Sequence, residues 1–417
     1  MRQNLTAPAG MDGYVHGLAG RTILQIIPEL DAGGAERTAI DIAVALAAAG
    51  ARALVASDGG RLVSELQAQG GIWVPFPAKT KNPFRMAGNV GKLARIIRAE
   101  HVDLVHARSR APAWVALGAT RVTKVPFVTT YHGAYSGKSR LKINYNSVMA
   151  RGDVVIANSH FTANRILELH PFAQGRIRVI HRGTDTDSFS PGAVDPSRVR
   201  KLREEWGVAP DERIVLLAAR LTAWKGQRVL IEAAAILAKA GLKGLKFILA
   251  GDPQGRSGYV RELDAAIAKS GLTGIVKRVG HCRDMPAAFM AASAITVCST
   301  DPEAFGRVAT EAQLFGKPVI VTDLGAVPET VLSPPDVPES HRTGWKVPPA
   351  DANALAKTLQ HVLSLGASEL DQLALRGRKN VERNFSLARM CTETLQIYEM
   401  LLESGRGISP GASQASY

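Results

Sequence analysis

The chain is poor in cysteine: Cys282, Cys298 and Cys391 are its only three. No C-x-x-C pair and no metal-ligand spacing links them. That excludes a disulfide scaffold and a thiolate zinc centre, and they read as reduced, buried thiols. Long apolar runs are missing too. No stretch of about 18 uncharged apolar residues occurs, so there is no candidate for a spanning helix. Residues 1–20 are polar and glycine-rich and lack an apolar h-region; they read as a disordered leader rather than a signal peptide. From these absences the expected location is the cytoplasm. Negative charge is in short supply, with 37 Asp+Glu against 51 Lys+Arg and a net charge of +14.

The positive excess is uneven. Residues 1–190 hold 23 Lys+Arg against 13 Asp+Glu, and residues 191–417 hold 28 against 24. A basic first half suits an anionic partner (membrane lipid, acidic glycolipid or nucleic acid), or simply keeps the chain soluble. Lys92, Arg95 and Arg98 recur every three residues, on a helical face opposite Leu93 and Ile97. Lys79, Lys81, Arg85, Lys138, Arg140 and Lys142 add to the basic character of this half.

With 417 residues, 46% hydrophobic and 21% charged, the chain has room for two ordinary globular domains. Short apolar runs at 22–27, 53–56, 72–74, 104–106, 127–130, 154–157 and 179–181 alternate with helical stretches such as 35–49 and 89–100. This alternation predicts a doubly wound parallel sheet. Residues 183–198 are rich in turn formers and read as a linker. The pattern then restarts, with strands at 214–218, 246–250, 276–279, 294–298, 318–321 and 344–347 and helices at 226–240 and 259–270. The fold class is therefore α/β, two αβα sandwiches with a cleft between them. The expected division is a leader 1–20, a first domain 21–190, a second 191–385, a helix 386–403 with Ser386 as N-cap, and a flexible tail 404–417. Ligands of such sheets bind at the carboxyl ends of the strands.

The motifs stand at those ends. Glu303 and Glu311 lie eight positions apart, after the strand 294–298. A helix starting near Gly306 carries Glu311 on its second turn and leaves Glu303 in the loop before it. Phe305-Gly306 permits close backbone approach, and free helix-start N–H groups suit phosphate. Arg220 and Lys225, five residues apart after another strand, can neutralise a diphosphate by fork and by point charge. The run Gly280-His281-Cys282-Arg283 can frame a nucleotide base through its backbone. In the first half, Gly33-Gly34 opens a helix after the first strand. This junction lacks G-x-G-x-x-G, which argues against a nicotinamide-dependent oxidoreductase. His132, before Gly133, ends another strand and can face a ligand.

The strings GGAER, TYHG, ARLTAWKG and EAFGRVATEAQLFGKPVIVTDLGAVPE resemble those of retaining glycosyltransferases of family 4, which have the GT-B fold, over about residues 21–403. The resemblance implies an acceptor-binding first domain, a nucleotide-sugar-binding second domain, and a terminal helix crossing back onto the first. It implies Arg220 and Lys225 on the donor diphosphate and Glu311 on the ribose. Glu303 would sit by the sugar hydroxyls, with the Phe305 and Gly306 amides. His132 would lie near the transferring sugar, and Gly33 and Gly34 where diphosphate and acceptor meet. His281 and Arg283 join the donor set. Ala304 stands where many relatives have glycine, which bears on the sugar contacts. No D-x-D stands in these loops, so neither a metal nor another cofactor is expected. The stretch 130–159 looks like bacterial enzymes of envelope polysaccharide assembly. The expected reaction is hexosyl transfer, from GDP-mannose or a UDP-hexose, to a lipid-linked or lipopolysaccharide-core acceptor. The expected place is the cytoplasmic face of the inner membrane, with an anionic membrane surface as partner and no nucleic acid. The rival readings are a non-transferring enzyme of the same fold, such as a sugar-nucleotide epimerase, and behind it a nucleotide-dependent oxidoreductase.

Overall fold

The computed structural model describes residues 17–31, 33–133 and 139–404. The leader read over 1–20 thus lies mostly outside the described residues, and the tail read over 404–417 almost entirely so. Leu18, within the expected leader, is fully buried. The chain divides into two compact units. One is Met1–Gly183 with Leu387–Tyr417; the other is Thr184–Ser386.

In the first unit, seven strands form one parallel sheet: β1 Thr22–Ile26, β2 Arg52–Ser57, β3 Ile72–Pro75, β4 Leu104–Ala107, β5 Phe127–Tyr131, β6 Val154–Ala157 and β7 Ile177–Val179. Their order is β3-β2-β1-β4-β5-β6-β7, and every pairing is parallel. Side chains alternate across a strand, so a sheet covered on both faces needs apolar residues at every position. Leu24, Leu54, Val105 and Phe127 pack on one face. Ile23, Ala53, Leu104 and Val128 pack on the other, with the helices Gly34–Ala48 and Leu387–Glu403. Tyr398 of the last helix is fully buried there.

In the second unit, six strands follow the same plan: β8 Arg213–Ala218, β9 Leu245–Ala250, β10 Val276–Gly280, β11 Ala294–Val297, β12 Val319–Thr322 and β13 Trp345–Val347. Their order is β10-β9-β8-β11-β12-β13. Val215, Leu217, Phe247 and Leu249 face one layer, and Ile214, Leu216, Ile248 and Ala250 the other.

Three readings need correction. The strand expected at 179–181 is Ile177–Val179. The helix expected to begin at 89 begins at Pro83, where Asn82 Oδ1 accepts from the Phe84 and Arg85 amides. The segment 183–198, expected as linker, runs from Thr184 onward within the second unit. Its last residues open the helix Pro196–Glu205, capped by Asp195. Among the described residues, no helix is long and apolar enough to cross a membrane.

Candidate active site

In doubly wound sheets the strand order reverses at a switch point, and ligands bind beyond the carboxyl ends of the two strands that flank it. In the second unit these strands are β8 and β11. The loop after β8 carries Arg220, then a 3-10 turn Ala223–Lys225, then Gly226 and the helix Gln227–Lys239. Lys225 thus closes a tight turn instead of opening the helix. Gly226 has φ +73°, and a Cβ there would stand 1.8 Å from the Cys298 carbonyl oxygen. Only glycine lets this turn lie against the end of β11. The Thr300 amide donates to the Trp224 carbonyl at 2.8 Å and fastens the two loops together.

The result is a local charge cluster. Lys225 Nζ lies 2.7 Å from Glu303 Oε2, and the two side chains are only 14% and 15% exposed. The ammonium also sits 4.3 Å from the centre of the Trp224 ring, a cation–π contact. Ser299 Oγ donates to the other carboxylate oxygen, Oε1. The Glu303 backbone is held as well, its carbonyl accepting from the Ala326 amide at 2.9 Å. The carboxylate is therefore fixed on both oxygens and cannot swing freely.

Other expected residues lie on neighbouring loops and helices of the same unit. Arg220 is exposed, and its guanidinium reaches Gln254 Oε1 at 3.5 Å. Gly306 (φ +151°) precedes the helix Arg307–Leu314, and Glu311 lies on its second turn. Glu311 is buried, with Arg307 Nη2 donating to its Oε1 at 2.9 Å. Phe305 is buried against Phe385, a packing role for its ring. His281 and Arg283 are exposed in a groove of about 860 Å³ with Lys201, Trp206 and Lys277. There Arg198 grips Asp284 with two bonds, 2.8 and 2.6 Å. The structure thus joins Lys225 with Glu303 directly. It gives Glu311 a local partner of its own and leaves His281 and Arg283 exposed in their groove.

In the first unit the switch point lies between β1 and β4. Gly34 begins the helix after β1, and a Cβ there would lie 1.9 Å from Arg182 Nη2. The guanidinium thus rests on the helix start. His132 follows β5, with its Nε2 fully enclosed and without a hydrogen-bond partner. Burial, then Arg108 and Arg182, push its pKa well below the usual histidine value. His106, wholly buried, is also held neutral, first by burial and then by Arg108 and His132. Its Nδ1 and Nε2 meet the Tyr398 and Thr130 hydroxyls at 2.6 and 2.7 Å. Hydroxyls can donate or accept, so a neutral imidazole is fully satisfied there.

Two histidines kept neutral make stability depend on pH. The unfolded chain binds protons at about pH 6.5 where the folded one does not, so stability is complete above that value and is lost as pH falls below it. If both contribute, folding free energy should drop by about 2 kcal/mol between pH 6.5 and 5.5. Urea titrations at the two pH values check this, and His106→Gln should roughly halve the drop. An equal drop in that variant would remove His106 from the account.

Sequence reasoning missed Ser299, Trp224, Arg307, Arg108 and Arg182. Ser299 and Arg108 shared one usable signal, a polar residue just beyond a predicted strand end.

Comparison with known proteins identifies the family. Residues 32–188 match the model of Glycosyltransferase Family 4, and residues 199–380 that of Glycosyl transferases group 1. A crystal structure of a glycosyltransferase from Rickettsia africae is 34% identical, covers 92% of this chain and 99% of its own, and superposes with a TM-score of 0.84. HepE of Anabaena, solved with UDP-glucose, is 27% identical over 91% of this chain and 100% of its own, with a TM-score of 0.76. The D-inositol 3-phosphate glycosyltransferase of Mycobacterium tuberculosis is 28% identical over 70% of this chain. The match spans 62% of the length of that relative. The two parallel-sheet units and these matches together make the chain a glycosyltransferase of the GT-B fold. The chain belongs to the family 4, group 1 glycosyltransferases.

Proposed function

We propose that this glycosyltransferase moves a hexose from a nucleoside diphosphate sugar to an acceptor, with retention of anomeric configuration. The second unit takes the donor and the first the acceptor. The observation that carries the reading is the Lys225–Glu303 pair at the β8/β11 switch point, on the loop that Arg220 opens. Cations there stabilise the leaving diphosphate, in the place a divalent metal takes elsewhere. Glu303 holds sugar hydroxyls and Glu311 the ribose, with the Phe305 and Gly306 amides alongside. His281 and Arg283 flank the base. His132, Gly33 and Gly34 serve the transferring sugar and diphosphate from the first unit. The UDP-glucose bound by HepE supports a nucleotide-sugar donor. GDP-mannose and UDP-hexoses are the donors to try first.

The test is a panel of nucleotide sugars, read as released UDP or GDP, with and without EDTA. One donor should be turned over at an equal rate in both. Loss of turnover with EDTA, restored by a divalent ion, would assign the diphosphate to a metal instead.

The acceptor is a lipid-linked or lipopolysaccharide-core saccharide at the cytoplasmic membrane face, in envelope polysaccharide assembly. The strings around 130–159 and the basic first half support this. On the helix Pro83–Ala99, Lys92, Arg95 and Arg98 are exposed while Leu93, Ala94 and Ile97 are buried. Phe84, at its start, is 88% exposed. Each such cation near an anionic surface contributes about 1 kcal/mol. The protein should float with phosphatidylglycerol vesicles and stay behind with neutral ones; equal behaviour would remove the membrane surface from the proposal.

A further inference from the structure

Three residues stand immediately beyond three neighbouring strands of the first unit: Arg108 after β4, His132 after β5 and Asn158 after β6. Each holds enclosed polar atoms without a hydrogen-bond partner among the described residues. These are Arg108 Nη2, His132 Nε2, and both the Nδ2 and Oδ1 of Asn158. Tyr131 pairs with Ala157 and Ala107 with Thr129. His132 and Asn158 therefore stand level, on strands about 4.8 Å apart, and Arg108 two residues lower. Arg108 is 2% exposed and Asn158 4%.

Folded proteins pair nearly all enclosed polar groups, and a buried cation with an unmet donor is the costliest exception. Among the described residues, no carboxylate is bonded to Arg108. Its Nε donates to Gln25 Oε1 at 2.6 Å, and Gln25 in turn donates to the Ala39 carbonyl. Asp41 and the Tyr398 hydroxyl act on the guanidinium from the helices Gly34–Ala48 and Leu387–Glu403. Yet Nη2 stays unmet. Arg108 also follows β4, one of the two strands at the switch point, where ligands of this topology bind.

The unmet atoms describe their complement. A guanidinium N–H calls for an anionic oxygen. An amide with both its donor and its acceptor open is the complement of a hydroxyl, which can accept from the one and donate to the other. Arg182, lying on the start of the helix Gly34–Ala48, adds positive charge at the same end of the sheet.

We propose that Arg108 and Asn158 form, beside His132, a subsite for an acceptor saccharide that carries an anionic group beside a free hydroxyl. The anion is a sugar carboxylate or a sugar phosphate. This rests on the reading that the first unit takes the acceptor, and it names the class of that acceptor. It also makes Arg108 a specificity residue: a neutral acceptor would leave its charge unanswered.

Isothermal titration of the full chain with glucuronate, glucose 6-phosphate and glucose tests it. One or both acids should bind at least about tenfold tighter than glucose. The preferred acid identifies the anion as carboxylate or phosphate. Arg108→Met should bring acid binding down to the glucose level while UDP and GDP bind as before. Arg108→Lys should restore part of it, and Asn158→Leu should weaken acid and glucose alike. Melting separates this from a packing role. Removing a buried unpaired charge should leave the melting temperature unchanged or higher, whereas loss of a structural strut lowers it. Equal binding of all three sugars, binding of none, or undiminished acid binding by Arg108→Met overturns the proposal. So does an equal loss of nucleotide binding, which would assign Arg108 to the donor. The donor panel on the same preparation is independent: no nucleotide release from any sugar would defeat the transfer reading and leave the binding result standing.

Discussion

Replacing Lys225 with alanine should lower turnover by about a thousandfold while leaving the protein folded. Removing one preorganised donor from a developing oxyanion costs about a hundred- to a thousandfold in kcat. Lys225 carries a full charge and is held on one side by Glu303 and on the other by the Trp224 ring. It does not have to be gathered at the moment of reaction. The same substitution should lower stability by about 2 kcal/mol, because Glu303 loses its cation in a site open only at its edge. These two effects can be separated. Donor turnover measured at saturating nucleotide sugar reads the first, and a urea titration reads the second. Turnover within about threefold of wild type, with the stability loss intact, would reduce Lys225 to a strut for Glu303 and end its role at the diphosphate.

That pairing could not be read from the sequence, although both residues could. Composition and alternation were enough for two parallel sheets, because a sheet covered on both faces must be apolar at every position. Runs such as 214–218 and 294–298 look like nothing else. Boundaries failed where local chemistry overrode the pattern. Asp195-Pro196 is a cap and first-turn signal, but it sat in a segment so rich in turn formers that it read as linker. Pro83 opens its helix six residues early because Gly88 and Gly91 hide the periodicity. β7 slipped because Arg176 and Arg178 alternate with Ile177 and Val179, a period-two pattern masked by its basic half.

The site was legible at the level of loops and illegible at the level of partners. The E-x7-E spacing placed Glu303 before a helix and Glu311 within it. It could not say that Arg307, one turn away, would hold Glu311, nor that Gly226 would bring Lys225 onto Glu303. Such contacts depend on the strand order β8-β11, which joins residues some eighty positions apart. Arg108 and Asn158 were harder to read for another reason. A polar residue at a strand tip is a weak signal that many positions share; its meaning appears only when the burial of its atoms is known.

Replacing Glu303 with glutamine should cost turnover about as much as losing Lys225, and the two losses should not add. In the structure Oε2 faces Lys225 and Oε1 accepts from Ser299. A carboxylate bound on both oxygens is a poor nucleophile and a good fixed charge. Glutamine keeps the shape and can still accept from Ser299, but it no longer answers Lys225. The expected drop is about a hundred- to a thousandfold, and the double variant Lys225→Ala/Glu303→Gln should be no worse than the poorer single, since the pair acts as one unit. Full additivity would mean that the two side chains serve separate steps. Glu303→Ala with added azide decides the remaining question. Azide can replace a missing carboxylate nucleophile by attacking the anomeric carbon, giving a glycosyl azide of inverted configuration. No such product should form here, because Glu303 acts by position and charge. Azide rescue, with the inverted product identified, would instead make Glu303 the nucleophile of a double displacement.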